Sequence, residues 1–176
     1  MPVRPACPAD LDKLAAVERS AASVFRDAGL DWLADGDTMD PDILAKACSD
    51  GTLWVAVDDG GEPVGFLAAH RLGDGLYIAE VSVDRSHQRR GLGAKLIAAA
   101  ADYARSARLP EIALTTYRDL SWNAPFYARL GFREINPEIA HPALVRELQA
   151  EAEAGHNPSR RCIMAMSIQD GIASPA

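Results

Sequence analysis

The run Gln88-Arg89-Arg90-Gly91-Leu92-Gly93-Ala94-Lys95 is where residue types and spacing could do chemistry. The run places glycines and cations at the start of an Ala/Leu-rich stretch, whose pattern predicts a helix over 91–108. Backbone N–H groups in the first turn of a helix lack intrahelical partners and carry the positive end of its dipole, so the backbone itself can hold an anion there. Gly91 and Gly93 permit close approach of phosphate oxygens, and Gln88, Arg89 and Arg90 add donors. A guanidinium fork suits phosphate because it bonds two oxygens at once. The segment reads as a pyrophosphate cradle.

Lys95 reads as a phosphate contact or a solvated lysine, and His87 as a surface residue. Asp31, Asp35, Asp37, Asp40 and Asp42, interleaved with Trp32 and Met39, form either a wall for a cationic group or a solvated run of caps and turns, the commoner use of Asp.

These residues need elements to position them. Val3-Arg4 reads as a short strand, and Asp10 as the N-cap of a helix over 11–24 carrying Leu11, Leu14, Val17 and Ala21 at helical spacing. Residues 28–41 give no clear pattern, and 43–47 suggest a short helix. Strands over 52–57, 63–71 and 76–83, joined by Asp58-Asp59-Gly60-Gly61 and Gly73-Asp74-Gly75, make an antiparallel meander. In the alternating register of its last strand, Glu80 and Ser82 share one face, and Val81 and Val83 the other. The long helix stops before Pro110, and a strand over 112–117 follows, implying a parallel pair joined by a right-handed crossover. A short helix over 124–130, a strand over 132–135, a helix over 141–154 and a strand over 161–168 complete the chain, with 169–176 expected to fray.

With 176 residues, 48% hydrophobic and 24% charged, the chain is expected to form one domain, 1–176, with its own core. A net charge of -7 argues against a broad electrostatic hold on nucleic acid or anionic lipid. Cys7, Cys48 and Cys162 are odd in number and widely spaced, signalling neither a disulfide framework nor a metal site, and they fit a reducing compartment. The first residues lack a signal-peptide pattern, and no window approaches the roughly 18 apolar residues that span a bilayer. A cytoplasmic location is expected.

Two segments resemble the GNAT superfamily of N-acetyltransferases. Gln88-Arg89-Arg90-Gly91-Leu92-Gly93 matches the acetyl-CoA loop [Gln/Arg]-x-x-Gly-x-[Gly/Ala], and Asn123-Ala124-Pro125-Phe126-Tyr127-Ala128-Arg129-Leu130-Gly131-Phe132 is similar to the family's N-x-x-[FL]-Y-x-x-x-G-F segment. The loop alone is a moderate signal; the two at the family's separation are a strong one. The resemblance covers the chain from Val3 to about Ile135, leaving 28–48 and 137–157 outside it. It implies an α+β fold with a mixed, mostly antiparallel sheet flanked by helices. It also implies acetyl-CoA as cosubstrate, an amine as acceptor with a cationic one fitting the acidic segment, and leaves homodimerisation open.

The resemblance carries roles residue by residue. Glu80 matches the strand Glu that draws a proton from the acceptor, with a solvated or salt-bridged Glu as the alternative. Tyr127 matches the tyrosine thought to protonate the CoA thiolate. The strand end Val81-Ser82-Val83 is expected to bind the pantetheine arm through the backbone of Val81 and Val83, as an added strand. The cradle from Gln88 to Lys95 takes the pyrophosphate. Asn123 is either a helix cap or a pantetheine contact; Phe126 belongs to the same cofactor-facing segment, although it, Leu130 and Phe132 also read as core.

A dinucleotide-binding unit is the first rival, but the third glycine of G-x-G-x-x-G would fall at Leu96. The second is a catalytically idle acyl-CoA sensor, against which the presence of both Glu80 and Tyr127 speaks.

Overall fold

The computed structural model describes residues 1–168. In chain order its main elements are β1 (Val3–Pro5), α1 (Leu11–Ala22), α2 (Asp31–Ala34), α3 (Pro41–Ser49), β2 (Leu53–Val57), β3 (Pro63–Leu72), β4 (Gly75–Val83), α4 (Leu92–Ser106), β5 (Glu111–Tyr117), α5 (Ala124–Arg129), β6 (Arg133–Ile135), α6 (Pro142–Glu153) and β7 (Arg161–Ser167). The strands form one mixed seven-stranded sheet in the order β1-β2-β3-β4-β5-β7-β6. This is the expected α+β architecture. The chain divides into two compact units, one of Met1–His70 with Ala79–Tyr103, the other of Arg71–Ile78 with the chain from Ala104 onward.

In the first unit β1 and β2, and β2 and β3, pair antiparallel. β3 and β4 are neighbours joined by a two-residue turn, which only an antiparallel pair allows. Every residue of β2 is buried, which is why its sequence is an apolar run without alternation. Leu14 and Val17 of α1 and Leu44 and Ala47 of α3 pack with Val55, Val57, Phe66 and Ala68 of the sheet.

Three local outcomes differ from the sequence reading. Asp10 does not cap α1 through its side chain. It is buried, takes a forked ion pair from Arg4 at 2.7 and 2.9 Å, and accepts the Cys7 N–H at 2.8 Å. The predicted helix over 11–24 ends at Ala22 and tightens into a 3₁₀ segment, Ser23–Ala28, closed by left-handed Gly29 with φ 69°. The unpatterned stretch 28–41 contains α2.

In the second unit β4 and β5 run parallel, with Leu76 opposite Ile112 and Tyr77 opposite Ala113. β7 pairs antiparallel with β5 along its whole length and with β6 on its other edge. α6 lays Leu144 on Tyr77, Ala113, Ile163 and Ala165. Buried Ile168 is tied back by its N–H to Pro110 O at 2.8 Å. The tail expected to fray, 169–176, lies outside the described residues. Among the described residues no helix is long and apolar enough to cross a membrane.

Candidate active site

β4 carries Glu80 to Val83 into the turn that precedes α4. Buried Ser82 donates its hydroxyl hydrogen to Glu80 Oε1 at 2.7 Å, so the two side chains share a face as strand alternation requires. Across the sheet Gly65 leaves room for this strand end: a Cβ there would stand 3.0 Å from Ser82 O and 3.2 Å from Val83 Cγ2. Asp84 N–H bonds Val64 O at 2.9 Å, and the Asp84 carboxylate caps the following 3₁₀ turn, Arg85–His87, through Ser86 N–H at 2.9 Å. Burial works against this carboxylate, but bonds from Ser86, Ser20 and His87 outweigh it and hold Asp84 at about 2.

Gln88 turns its amide back to donate to Val83 O at 3.0 Å, so this side chain fastens the turn to the strand end. Arg89 then takes a left-handed conformation, φ 59°, as does Gly91 at φ 78°. A non-glycine residue held there is strained. The guanidinium residues Arg89 and Arg90 are exposed. α4 follows for 15 residues, long enough for a full end dipole. Lys95 N–H bonds Gly91 O at 3.1 Å, placing the amides of Leu92, Gly93 and Ala94 ahead of that bond in the first turn. The Leu92 side chain is in the core, which leaves its backbone to the turn, and exposed Lys95 reaches Met1 O at 3.4 Å. His87 Nδ1 lies 2.9 Å from Ser86 Oγ and 3.3 Å from Asp84 Oδ1, within the turn's own network.

α1 flanks this strand end. Ser20 Oγ accepts Arg85 N–H at 3.1 Å, and the Arg85 guanidinium reaches Asp27 at 2.6 Å. Two residues before Ser20, Glu18 accepts Met39 N–H with its two oxygens, at 3.2 and 2.9 Å. Burial first, then the charge of Glu80, push the Glu18 carboxyl up to about 7, against the opposing Met39 N–H and Arg19. Sequence reasoning did not single Glu18 out; the available signal was its place beside Val17 and one turn after Leu14, on the margin of the apolar face of α1. In the acidic segment, Asp31 and Asp35 pair with Arg26 at 3.7 and 2.5 Å, while Asp40 caps α3 through Asp42 N–H at 2.7 Å. Those three serve local structure.

Asn123, Phe126 and Tyr127 form a second group, in the second unit. Asn123 heads α5 with its backbone carbonyl, which accepts from Phe126 N–H at 2.8 Å and Tyr127 N–H at 3.0 Å. Its side chain does not cap the helix. The amide donates to Thr116 Oγ1 at 2.8 Å, and the buried Oδ1 has no hydrogen-bond partner among the described residues. An orphaned buried acceptor is costly unless a bound group supplies a donor. The half-buried ring of Tyr127 is held edge-on between Phe126 and Phe132, at centroid distances of 5.2 and 5.6 Å. Among the described residues no group of three or more His, Cys, Asp and Glu could hold a metal ion.

A model of the acetyltransferase (GNAT) family matches residues 21–132. Similar solved structures include a GNAT-family acetyltransferase from Staphylococcus aureus Mu50, with TM-score 0.73, 14% identity, and 95% of this chain and 98% of that one covered. PaiA N-acetyltransferase from Thermoplasma acidophilum, in complex with coenzyme A, gives TM-score 0.69, 15% identity and coverage of 94% and 98%. N-acetylglutamate synthase from Neisseria gonorrhoeae, complexed with coenzyme A and N-acetyl-glutamate, gives TM-score 0.68 at 18% identity; the match covers 95% of this chain but 35% of that one. At such identities the likeness is one of fold.

Proposed function

The chain belongs to the acetyltransferase (GNAT) family, and on that premise we propose that it moves an acetyl group from acetyl-CoA to a primary amine of a small molecule or peptide, by direct attack in a ternary complex. The observation that carries the reading is the strand–turn–helix over 80–95, where the turn between β4 and α4 holds two left-handed residues and two exposed arginines at the start of a long helix. Coenzyme A in two of the structural neighbours supports the same class of ligand. The residues fit it. In the first unit the first-turn amides of α4 with Arg89 and Arg90 suit a pyrophosphate, and the backbone of Val81 to Val83 suits a pantetheine arm as an added strand; in the second, the orphaned Asn123 Oδ1 suits an amide N–H donor. The same reading takes residues 1–176 as one domain.

Acetyl-CoA supplies an activated thioester carbonyl. An alkyl amine titrates near the lysine reference of about 10.4, so at neutral pH it arrives as an ammonium that must lose a proton before it can attack. Glu80 is the proposed base; the Ser82 hydroxyl fixes one of its oxygens, Oε1, and orients the carboxylate. Tyr127 is the proposed acid, a phenol held in place by its two aromatic neighbours. Neither role requires a metal ligand set.

The test is free-thiol release from acetyl-CoA against a panel of primary alkylamines, amino acids and peptide N-termini. Turnover with at least one amine, with product mass raised by one acetyl group, is expected. Thermal stabilisation by acetyl-CoA without turnover on any acceptor would overturn the enzyme reading in favour of an acyl-CoA sensor.

A further inference from the structure

A cavity in the second unit shares no residue with the strand–turn–helix over 80–95 or with the group Asn123, Phe126 and Tyr127. It holds about 170 Å³ and is lined by the turn between β3 and β4, the starts of β4 and β5, and the head of α6. Its floor is apolar, with Leu144 of α6 packed on Tyr77 and Ala113 of the sheet. Tyr77 spends its hydroxyl on Thr115 Oγ1 at 2.8 Å, which leaves its ring to line the cavity. The rim is built by close approach to two glycines. The His141 ring lies against Gly73, where a Cβ would stand 2.7 Å from Cε1 and 2.8 Å from Nε2, and its Nδ1 accepts Ala143 N–H at 3.1 Å. That bond needs the Nδ1 lone pair, so the ring keeps its hydrogen on Nε2. Glu111 crosses Gly75 in the same way: a Cβ there would stand 3.0 Å from Glu111 O and 3.1 Å from Glu111 Cγ. Exposed Asp74 lies between the two glycines.

Asp74 and Glu111 both line this cavity. Among the described residues neither is in an ion pair or a side-chain hydrogen bond, whereas arginines of the same unit take Asp119, Glu134 and Glu151. We propose that the cavity is a ligand site for a small alkylammonium ion, with the carbon chain on Tyr77, Ala113 and Leu144 and the ammonium at the rim against Asp74 and Glu111. The site does not rest on the acetyltransferase reading, since it uses none of the residues proposed to bind acetyl-CoA or to move protons. Size and charge each narrow the ligand. A void of roughly 150 Å³ accepts a molecule the size of benzene, so this one takes about six heavy atoms. Two carboxylates without a counter-ion at the mouth of an apolar cavity favour a cation over an anion or a neutral amphiphile. With His141 they do not make a set that could hold a metal ion, and a bare ion would leave the apolar floor unused, so the cation is organic. An alkylamine titrates near the lysine reference of about 10.4 and carries its charge throughout the neutral range.

The experiment titrates pentylammonium chloride into the protein without acetyl-CoA, so that no transfer can occur, and follows the backbone amide NMR signals of Gly73, Asp74, Gly75 and Glu111. Those signals are expected to move and to saturate, with half-effect on the order of millimolar, as suits a ligand of about six heavy atoms. The double variant Asp74→Asn with Glu111→Gln, which keeps the shape of both side chains, is expected to bind at least tenfold more weakly. Pentanol offers the carbon chain alone and ammonium chloride, at equal ionic strength, the charge alone; neither is expected to bring the four signals to saturation. Shifts that never saturate, an equal response to pentanol or to ammonium chloride, or a double variant with wild-type affinity would each overturn the proposal. Should the double variant not fold, the contrast among the three probes on the wild type decides. None of these outcomes bears on turnover of acetyl-CoA, so the acetyltransferase reading stands or falls by its own test.

Discussion

Glu80 and Tyr127 divide the proposed proton work, and isosteric changes separate that work from their packing. Glu80→Gln retains an oxygen for the Ser82 hydroxyl but cannot take a proton. Tyr127→Phe retains the edge-on contacts to Phe126 and Phe132 but cannot give one. General acid–base groups contribute on the order of 10² to 10⁴ in rate. Glu80→Gln is expected to lower kcat about 10²-fold or more, and Tyr127→Phe by less, because a thiolate is a tolerable leaving group without full protonation. Steady-state thiol release at saturating acetyl-CoA checks both. Wild-type rates in the two variants, with coenzyme A still binding, would show that neither residue carries a proton. The glycine–cation run was legible because its types and position suffice to suggest anion binding. Gln88 was legible only in part: its amide serves the strand end, a use fixed by where Val83 O falls once the turn closes. Glu18 was not legible, because its raised proton affinity comes first from burial and then from Glu80, a carboxylate in a distant part of the chain.

At the scale of elements the regular ones were readable, since apolar spacing is local and both β2 and the face of α1 bury what the spacing says. The misreadings are tertiary. Asp10 stands where an N-cap belongs, but Arg4 from β1 and the Cys7 N–H claim its carboxylate. α6, in the stretch outside the family resemblance, is fastened to the sheet by a polar network that no local pattern announces. Thr115 on β5 accepts from Tyr77 OH at 2.8 Å and donates to Glu151 of α6 at 2.5 Å. Arg161 of β7 grips the same carboxylate at 2.6 and 2.9 Å and stacks 4.7 Å from the centre of the Tyr117 ring. The Arg161 and Glu151 side chains are 10% and 21% exposed, whereas those of the Arg118–Glu134 pair are 45% and 46% exposed. Removing one partner of a buried pair strands the other charge and costs roughly 3 kcal/mol, while an exposed pair is worth about 1 kcal/mol at most. Glu151→Ala should therefore lower unfolding free energy in urea by roughly 3 kcal/mol, and Glu134→Ala by less than about 1. Equal losses would mean that burial does not set the value of these pairs.

For the molecule as a whole, the titrating groups of the first unit set two opposing slopes in stability against pH. Asp84, at about 2, and Asp10, held well below the usual range first by its Arg4 hydrogen bonds and then by Cys7, bind fewer protons folded than unfolded in acid. Their stabilisation is complete above the unfolded value of about 3.9 and is lost as pH falls below it. Glu18 has the opposite sign. Its folded value of about 7 exceeds an unfolded value near 4.3, so the folded state holds the extra proton and stability falls as pH rises between the two. Above pH 7 both states are ionised and the cost is at its full value. A protonated Glu and a Gln are close in shape and charge, so at about pH 4.5 Glu18→Gln should unfold at nearly the wild-type urea midpoint. From there to pH 8 the wild type should lose ground, and the variant should become the more stable of the two. Urea midpoints measured at half-unit steps from pH 4 to pH 8 decide it: a gap that does not change with pH, or a wild type that stays the more stable at pH 8, would mean that Glu18 titrates as an ordinary carboxylate.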